Sequence, residues 1–229
     1  LNRNCWTTKF FGVPDLCEKL KMARYLASLA PLLGADSALL ASAPKTFVLP
    51  ADGAQLEGFM REGGRTLIVK PAGGSQGKGI FITQSLEDIP RTEPAVAQEY
   101  VAEPLTLDGF KFDLRIYVIA LGVGPGQRVF VMSEGLVRLC TKKYSHPCGT
   151  IRESDYARDA LRAHLTNTSA NKGSDDYDPN DSKRQLSAVL EQLSNSQTLG
   201  FEFREAEFWS QLEDLVGNWV VCMRPVMSL

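Results

Sequence analysis

A glycine-rich loop between two segments of strand composition constrains this chain more than any other stretch. Residues 70–82 read KPAGGSQGKGIFI and contain four glycines and two lysines. Residues 65–70 lead into the loop and residues 80–82 leave it, and both are rich in β-branched side chains. Glycines let backbone N–H groups converge on an anion, while lysine supplies a point charge. The stretch predicts a strand–loop–strand flap over a triphosphate, with a solvated hairpin turn as the alternative.

The spacing within the loop excludes two other phosphate-binding motifs. A Walker loop has a glycine five residues before its Gly-Lys pair and a hydroxyl residue after it, but Ala72 and Gly79 occupy those positions. A dinucleotide-binding fingerprint opens a helix, and its third glycine would fall on Ile82. The predicted phosphate site is therefore of another class.

Composition is typical of a folded globular protein. The chain has 229 residues, of which 44% are hydrophobic and 23% are charged, so it can bury a core as one large domain or two small ones. The net charge of −2 argues against a general nucleic-acid binder, which needs a basic surface. The five cysteines lie far apart, without the spacing of a metal or redox site, which indicates reduced thiols.

The ends of the sequence suggest a piece of a longer protein. The chain begins with Leu1 instead of a start methionine, and it stops at Leu229 within an apolar run. No apolar segment approaches 18 residues and no signal peptide is present, so we expect an intracellular protein without a membrane partner.

Local charge indicates a possible partner. Residues 138–172 contain seven lysines and arginines against three acidic residues. This basic segment could receive an acidic partner, or it could be a solvated loop face that happens to be basic.

Periodicity predicts a chain of mixed helices and strands. The first helix is expected from Leu16 to Ala30, with Pro31 and Gly34 ending the pattern. Further helices are expected over residues 54–62 and 182–193 and from about Glu205 onward. Strands are expected over residues 44–50, 95–101, 129–132 and 136–140. Residues 111–118 alternate strictly. Their apolar face would carry Phe112, Leu114, Ile116 and Val118, and their polar face Lys111, Asp113, Arg115 and Tyr117.

Several ordered stretches, spread over about 120 residues, resemble one protein family. They are Lys70-Pro71 with residues 75–80, then residues 98–100, 108–118 and 134–138, and finally residues 164–167 with 182–184. Together they resemble the tubulin-tyrosine-ligase-like family and, within it, the polyglutamylases most closely. The resemblance implies an α+β fold of the ATP-grasp type, in which two lobes hold ATP between their sheets. Residues 1–100 would form the N-terminal and central lobe, and residues 101–229 a C-terminal lobe that is incomplete at its end.

The resemblance also implies roles for individual residues. Those expected to contact ATP are Lys70, Gly74, Ser75, Gln76, Gly77, Lys78, Gly79, Gln98, Glu99, Tyr100, Val101, Lys111, Asp113, Thr166 and Asn167. The family's reaction converts a protein carboxylate into an acyl phosphate, which the amine of an amino acid then attacks. Arg115 and Arg138 are expected to act in catalysis, because guanidinium groups pair bidentately with carboxylate or phosphate. Arg138, Thr168 and Lys183 are expected to bind the incoming amino acid, and His164 is expected to have a structural role.

Two features depart from the family pattern. Many polyglutamylases carry an aromatic residue where this chain has Thr168, which affects the amino-acid pocket. The family binds Mg²⁺ through an aspartate and a later Glu-x-Asn motif, and nothing in this sequence matches them. We expect these principal Mg²⁺ ligands beyond Leu229, so the fragment alone is expected to turn over slowly or not at all.

The sequence thus predicts an ATP- and Mg²⁺-dependent ligase that adds free glutamate to glutamate side chains of tubulin or microtubules. Glycylation and tyrosination are alternatives within the same class, and a catalytically inactive tubulin-binding protein is an alternative from another class. We expect no nucleic-acid partner. The expected location is the cytoplasm and cytoskeleton, including cilium, flagellum or basal body.

Overall fold

The fold is a mixture of helices and antiparallel sheets. A computed structural model describes residue 10 and residues 12–34, 37–153, 158–197 and 199–227. The α-helices in this part of the chain are α1 (Val13–Leu16), α2 (Lys19–Leu33), α3 (Ala38–Ala41), α4 (Gly53–Arg61), α5 (Arg158–Arg162), α6 (Thr168–Asn171), α7 (Leu186–Ser194) and α8 (Glu205–Met227). The strands are β1 (Thr46–Leu49), β2 (Leu67–Pro71), β3 (Phe81–Thr83), β4 (Ala95–Glu99), β5 (Thr106–Leu107), β6 (Phe110–Arg115), β7 (Val118–Leu121), β8 (Arg128–Val131), β9 (Leu136–Leu139) and β10 (Lys183–Gln185).

The described residues divide into two compact units. One unit spans residues 44–117 and 133–205 and carries every residue predicted to form the site. The other comprises residues 10–43, 118–132 and 206–227, apart from the undescribed positions within them.

A four-stranded antiparallel sheet in the order β1-β4-β2-β3 forms the first half of the larger unit. One face of this sheet packs against α4. The core between them consists of Phe47, Leu49, Leu56, Phe59, Met60, Leu67, Val69, Phe81, Ile89, Ala95 and Ala97. Because side chains alternate across a strand, Thr46, Lys70 and Gln98 lie on the opposite face of the sheet. That face is the one available for a site.

A second four-stranded sheet, in the order β10-β9-β6-β5, lies in the same unit. Helix α7 contacts its strands β9 and β10, and buries Leu186, Val189, Leu190 and Leu193. Glu134 fixes the start of this helix, because its carboxylate accepts hydrogen bonds from the Ser187 hydroxyl (2.7 Å) and from the Ser187 backbone N–H (3.2 Å). These bonds lower the pKa of Glu134, the hydroxyl bond contributing most. A Cβ on the adjacent Gly135 would lie 2.6 Å from the carbonyl oxygen of Arg115, so only glycine fits there.

The smaller unit contains α1, α2, α3, the β7–β8 hairpin and α8 from residue 206 onward. The Tyr25 hydroxyl on α2 donates a hydrogen bond to the carbonyl of Cys222 on α8. The predicted stripe of α8, including Phe208, Trp209 and Trp219, is half-buried. Among the described residues, no helix has both the length and the apolar character that crossing a membrane requires. Cys17, Cys140, Cys148 and Cys222 are free thiols, and Cys5 lies outside the described residues.

The structure confirms most of the predicted elements and corrects three of them. Pro31 does not end its helix but lies within α2, which continues to Leu33 and stops where Gly34 adopts a φ of +77°. The helix predicted over residues 182–193 begins only at Leu186, because residues 183–185 pair with β9 as strand β10. The strand predicted over 111–118 stops at Arg115, because Arg115 pairs with Leu136, the first residue of β9, and Val118 instead pairs with β8.

Candidate functional site

Lys70 is half-buried on the face of the first sheet that points away from α4, within a chain of hydrogen bonds. Its Nζ donates to Oε1 of Gln98 on the neighbouring strand β4 over 2.7 Å. Nε2 of Gln98 donates in turn to Oγ1 of Thr46 on β1 over 2.8 Å. Thr46 lies directly opposite Gln98, whereas Lys70 lies opposite Val96, two positions along β4 on the same face, so its long side chain reaches Gln98 diagonally. The sheet register therefore fixes where the Lys70 ammonium lies.

The second sheet supplies a matching row of charged side chains. Asp113 on β6 lies opposite Arg138 on β9, which lies opposite Lys183 on β10. Arg138 donates to both carboxylate oxygens of Asp113, with Nε 2.8 Å from Oδ1 and Nη2 bonded to Oδ2. This bidentate pair raises the pKa of Arg138. Lys111 and Arg115 occupy alternate positions on the same strand as Asp113 and belong to the same face.

Lys111 connects the two sheets. Its Nζ donates to the Tyr100 hydroxyl over 2.8 Å and lies 4.2 Å from the centroid of the Tyr100 ring. The pKa of Lys111 is lowered to about 8, mainly by burial and also by the charge of Lys70, while Cys140 and Asp113 act in the opposite direction. Like charges that lower each other's pKa favour a negatively charged ligand beside them.

His164 lies behind Tyr100 and is buried, with 3% of its surface exposed. Its Nδ1 is 2.9 Å from the Tyr100 hydroxyl, and the rings of Tyr100 and Tyr144 meet its ring edge-on, with centroids 5.6 and 5.3 Å away. The pKa of His164 is lowered to about 4, mainly by burial and also by the positive charge of Lys111. The imidazole is therefore neutral at pH 7 and can accept the proton of the Tyr100 hydroxyl.

The buried His164 predicts a specific loss of stability in mild acid. The native ring takes up its proton near pH 4, whereas an unfolded imidazole does so near 6.5. The unfolded state therefore binds more protons between these values, and the free energy of unfolding falls as the pH drops from about 6.5 to 4, by up to about 3 kcal/mol. Urea denaturation at several pH values measures this slope.

His164→Asn is the matched variant for that measurement, because asparagine keeps a hydrogen-bond acceptor but does not titrate. We expect its unfolding free energy to be nearly flat between pH 6.5 and 4.5. The carboxylates of Asp88, Glu134 and Asp159, whose pKa values are lowered by hydrogen bonds and nearby cations, titrate at lower pH in both proteins. Equal slopes in the two proteins would show that His164 is not the titrating group.

The predicted phosphate loop connects β2 to β3 and depends on its glycines. A Cβ on Gly74 would lie 2.7 Å from the carbonyl oxygen of Lys78, so a larger residue would clash with the backbone. Gly77 and Gly79 have φ values of +90° and +69°, which other residues adopt with strain. Gln76 also has a positive φ, of 58°. The strand–loop–strand geometry expected from the sequence is confirmed.

The tip of the loop rests on the segment that contains Thr166 and Asn167. The Ser169 hydroxyl donates to the carbonyl of Gln76 over 2.6 Å, and the Asn167 amide lies beside Gly77. A cavity of about 260 Å³ lies at this contact, lined by Gln76, Gly77, Lys78, Arg158, Arg162 and Ser169 among others. Lys70 and Lys111 lie outside its lining. The fold thus brings the loop and the 166–167 segment together, as the predicted shared contact with phosphate requires.

Asn171 holds that segment in place and was not predicted from the sequence. Its side chain is buried, and Oδ1 accepts from the backbone N–H and the hydroxyl of Thr141 over 3.0 and 2.8 Å. Nδ2 donates to the carbonyls of Leu165 and Asn167 over 2.6 and 3.0 Å. All of its polar atoms are therefore used to connect residues 165–167 to the end of β9.

Some predicted site residues lie apart from these lysines. The Glu99 carboxylate lies on the α4 side of the first sheet, where Arg65 donates to it over 3.1 Å. Val101 is exposed beyond the end of β4, Arg115 is exposed at the end of β6, and Thr168 is half-buried at the start of α6. Their roles stay predictions, although a backbone contact from residues 99 and 101 remains compatible with these positions.

Sequence reasoning missed Thr46 and Asn171, and it gave His164 only a general structural role. Each acts through a partner that is distant in the sequence: Thr46 through Gln98, His164 through Tyr100, and Asn171 through Thr141. A polar residue opening a predicted strand between two prolines was the only local signal for Thr46. Nothing local identified Asn171.

No group of three or more His, Cys, Asp or Glu side chains within the described ranges could hold a metal ion. The Asp113 carboxylate, whose charge acts on Lys111, is paired with Arg138.

Comparison with known proteins places the chain in one family. A family model described as the tubulin-tyrosine ligase family matches residues 9–227. The human tubulin polyglutamylase TTLL6 is 35% identical over 222 residues, which cover 95% of this chain and 23% of the human protein. The mouse tubulin polyglutamylase TTLL6 is 36% identical over 223 residues, covering 96% of this chain and 25% of the mouse protein. The human tubulin polyglutamylase TTLL7 is 30% identical over 226 residues, covering 94% of this chain and 24% of that protein. The chain thus spans about a quarter of the length of these relatives, and over that span it belongs to the tubulin-tyrosine ligase family.

Proposed function

We propose that this protein is an ATP-dependent ligase of the ATP-grasp type, which joins glutamate to glutamate side chains in the acidic tail of tubulin. The observation that carries the proposal is that Lys70 and Lys111, on two different sheets, both bond to side chains at or just beyond the end of β4, Lys70 to Gln98 over 2.7 Å and Lys111 to Tyr100 over 2.8 Å. A polyphosphate is an anion of sufficient charge to satisfy both. The choice of tubulin and glutamate rests on the similarity to tubulin polyglutamylases.

The proposed chemistry begins with a carboxylate, which is a poor electrophile. In the first step, a carboxylate oxygen of the acceptor attacks the γ-phosphorus of ATP, the bond to the β-phosphate oxygen breaks, and ADP leaves. In the second step, the amine of free glutamate attacks the carbonyl carbon of this acyl phosphate. Phosphate leaves, the amine loses a proton, and an amide bond remains. Negative charge moves among phosphate oxygens throughout, so fixed cations lower both barriers.

The side chains of this chain have separable roles in such a reaction. Lys70 and Lys111 would bind phosphate oxygens of ATP, and the loop at residues 74–79 would cover them with backbone N–H groups. Arg138 presents Nε and Nη2 to Asp113, which leaves its remaining N–H donors for a substrate carboxylate or phosphate. Lys183 is the next residue in the same cross-strand row and is exposed. It would bind the carboxylate of the incoming amino acid.

The number of lysines and arginines in residues 138–172 overstates how much positive charge is available to bind an acidic tail. Lys142 pairs with Asp176 over 2.7 Å and Arg162 with Asp159 over 3.0 Å. Arg152 pairs with Asp88 over 2.9 Å. Ion pairs within the chain therefore neutralise a large part of this charge. We expect tail recognition to depend mainly on the catalytic face and on parts of the protein outside these residues.

The proposal includes tubulin or microtubules as partner, and the cytoplasm, cytoskeleton, cilium, flagellum or basal body as location. Mg²⁺ is expected to accompany ATP, with its principal protein ligands beyond Leu229. Transfer of glycine or tyrosine remains the alternative within the class, and a tubulin-binding protein without activity the alternative outside it. We expect Thr168 and Lys183 to determine which amino acid is preferred, because both are predicted to bind it.

The test is incubation of the full-length protein with Mg-ATP, microtubules and radiolabelled glutamate, glycine or tyrosine in parallel. We expect ATP-dependent incorporation of glutamate only. Carboxypeptidase or protease treatment that removes the tubulin tails should release the label. Incorporation of another amino acid would correct the substrate but retain the ligase. A folded protein that binds microtubules and incorporates none of the three would refute the proposed reaction.

A further inference from the structure

We propose that Thr46 and His164 are positioning residues, which orient the side chains of Gln98 and Tyr100 so that an oxygen lone pair faces each of the two lysines. Thr46 acts through Gln98 on Lys70, and His164 acts through Tyr100 on Lys111. One part of the inference rests on the proposed function, namely that Lys70 and Lys111 bind ATP. The hydrogen-bond geometry that supports it is a property of the protein alone.

The orientation of Gln98 follows from what each neighbour can donate. The Thr46 hydroxyl has one proton, and it donates that proton to the carbonyl of Pro44 over 2.7 Å. Toward Gln98 it can therefore only accept, and it accepts from Nε2 over 2.8 Å. The amide of Gln98 must then present Oε1 to Lys70, whose Nζ lies 2.7 Å away. Without Thr46, the amide could rotate by 180° and present N–H groups to an ammonium that cannot accept them.

The same reasoning applies to Tyr100. An ammonium group only donates, so the Tyr100 oxygen must accept from Lys111 over 2.8 Å. Two acceptors for the single hydroxyl proton are then in reach: Nδ1 of His164 at 2.9 Å, and the Tyr144 hydroxyl, which donates its own proton to the carbonyl of Ala102. The imidazole nitrogen is the more basic of the two and therefore accepts the hydrogen bond of the Tyr100 hydroxyl. This requires a neutral imidazole with its proton on Nε2, which agrees with the burial of the ring. His164 thus determines which way the Tyr100 hydroxyl points.

The two arrangements are alike although their parts come from different places in the fold. In each, a lysine bonds to a side chain at or just beyond the end of β4, and a third residue with no charge sets the direction of that bond. Thr46 opens β1, whereas His164 follows α5. Two independent elements therefore hold the ammonium groups in fixed directions. The entropy cost of binding a phosphate is then smaller, because the two long side chains are already ordered.

Matched pairs of variants of the full-length protein test each arrangement. Thr46→Val keeps the β-branched shape but removes the hydroxyl, and Thr46→Ser restores it. His164→Phe keeps an aromatic ring against Tyr100 and Tyr144 but removes the acceptor, and His164→Asn restores one. We expect Thr46→Val and His164→Phe each to raise the KM for ATP about five- to tenfold with kcat within about twofold, the size expected for one hydrogen bond. Thr46→Ser and His164→Asn should stay within about twofold of the parent protein.

A second measurement without nucleotide separates this inference from the proposed function. Reductive ¹³C-methylation followed by NMR, or competitive acetylation read by mass spectrometry, reports the environment of Lys70 and Lys111 individually. We expect Thr46→Val to change only the Lys70 signal and His164→Phe only the Lys111 signal, with Lys143 as an internal reference.

The outcomes are distinguishable. The variants could change the lysine signals selectively while the parent protein shows no saturable dependence on ATP. That result would support the positioning roles and refute ATP binding at this site. Lysine signals and KM values equal to those of the parent would refute the positioning roles. A loss shared equally by the Val and Ser variants, or by the Phe and Asn variants, with a matching fall in melting temperature, would assign Thr46 or His164 to packing alone and also refute them.

Discussion

Replacing Lys70 by alanine should weaken ATP binding by about a hundredfold or more. A hydrogen bond from a charged donor contributes about 1.5–3 kcal/mol, and 2.7 kcal/mol corresponds to a hundredfold change in affinity. The variant also leaves Oε1 of Gln98 without the ammonium that it contacts at 2.7 Å. Lys111→Ala should have an effect of similar size, because the two lysines lie close enough for one to shift the pKa of the other. Titration with ATP or a fluorescent ATP analogue, followed by calorimetry or fluorescence, measures the affinity.

Lys45→Ala is the matched control for this experiment. Lys45 also borders the first sheet, but its Nζ lies over the ring of Phe59 at 4.6 Å, on the side that packs against α4. Its removal takes away the same charge from the same sheet without touching the site. We expect an affinity close to that of the parent protein. If Lys70→Ala and Lys45→Ala bound ATP equally well, the site would not lie on this face of the sheet.

Replacing Arg138 by alanine should lower the rate of amide formation by about a hundredfold or more while leaving ATP binding largely intact. Removing one fixed donor that stabilises developing negative charge typically lowers kcat by about a hundred- to a thousandfold. Arg138 is suited to that role because Asp113 holds its guanidinium in place with a bidentate pair. Single-turnover measurements of labelled glutamate transfer at saturating ATP isolate this step.

Asp113 variants complete the experiment. Asp113→Ala leaves the Arg138 guanidinium without its partner, although the pair is partly solvated, with 19% and 37% of the side chains exposed. We therefore expect a loss of stability of about 1 kcal/mol in addition to any effect on activity. In the double variant Asp113→Ala/Arg138→Ala, the loss of stability should be smaller than the sum of the single losses. Arg184→Ala, on the opposite face of β10, is the control and should keep its transfer rate. Transfer unchanged in Arg138→Ala would exclude Arg138 from the reaction.

The sequence predicted the elements that depend on local pattern. The loop at residues 70–82, its flanking strands and the long helix α8 were all recognisable, because glycine spacing and hydrophobic periodicity are properties of neighbouring residues. The alternation of Lys111, Asp113 and Arg115 also predicted a shared face correctly. The pattern failed where pairing with a distant strand decided the outcome. Residues 183–185 join β9 instead of starting a helix, and β6 ends at Arg115, which pairs with the first residue of β9.

The order of amino acids is enough to show which residues carry charge, which loop can cover a phosphate and which family the chain resembles. The directions in which those groups point depend on folding. Folding paired Arg138 with Asp113, neutralised much of the basic segment, and placed Thr46 and His164 behind the residues that hold Lys70 and Lys111. The physical reason is that hydrogen bonds between side chains depend on distance and direction in space. Partners 25, 52 or 64 residues apart become neighbours only when strand register and packing bring them together.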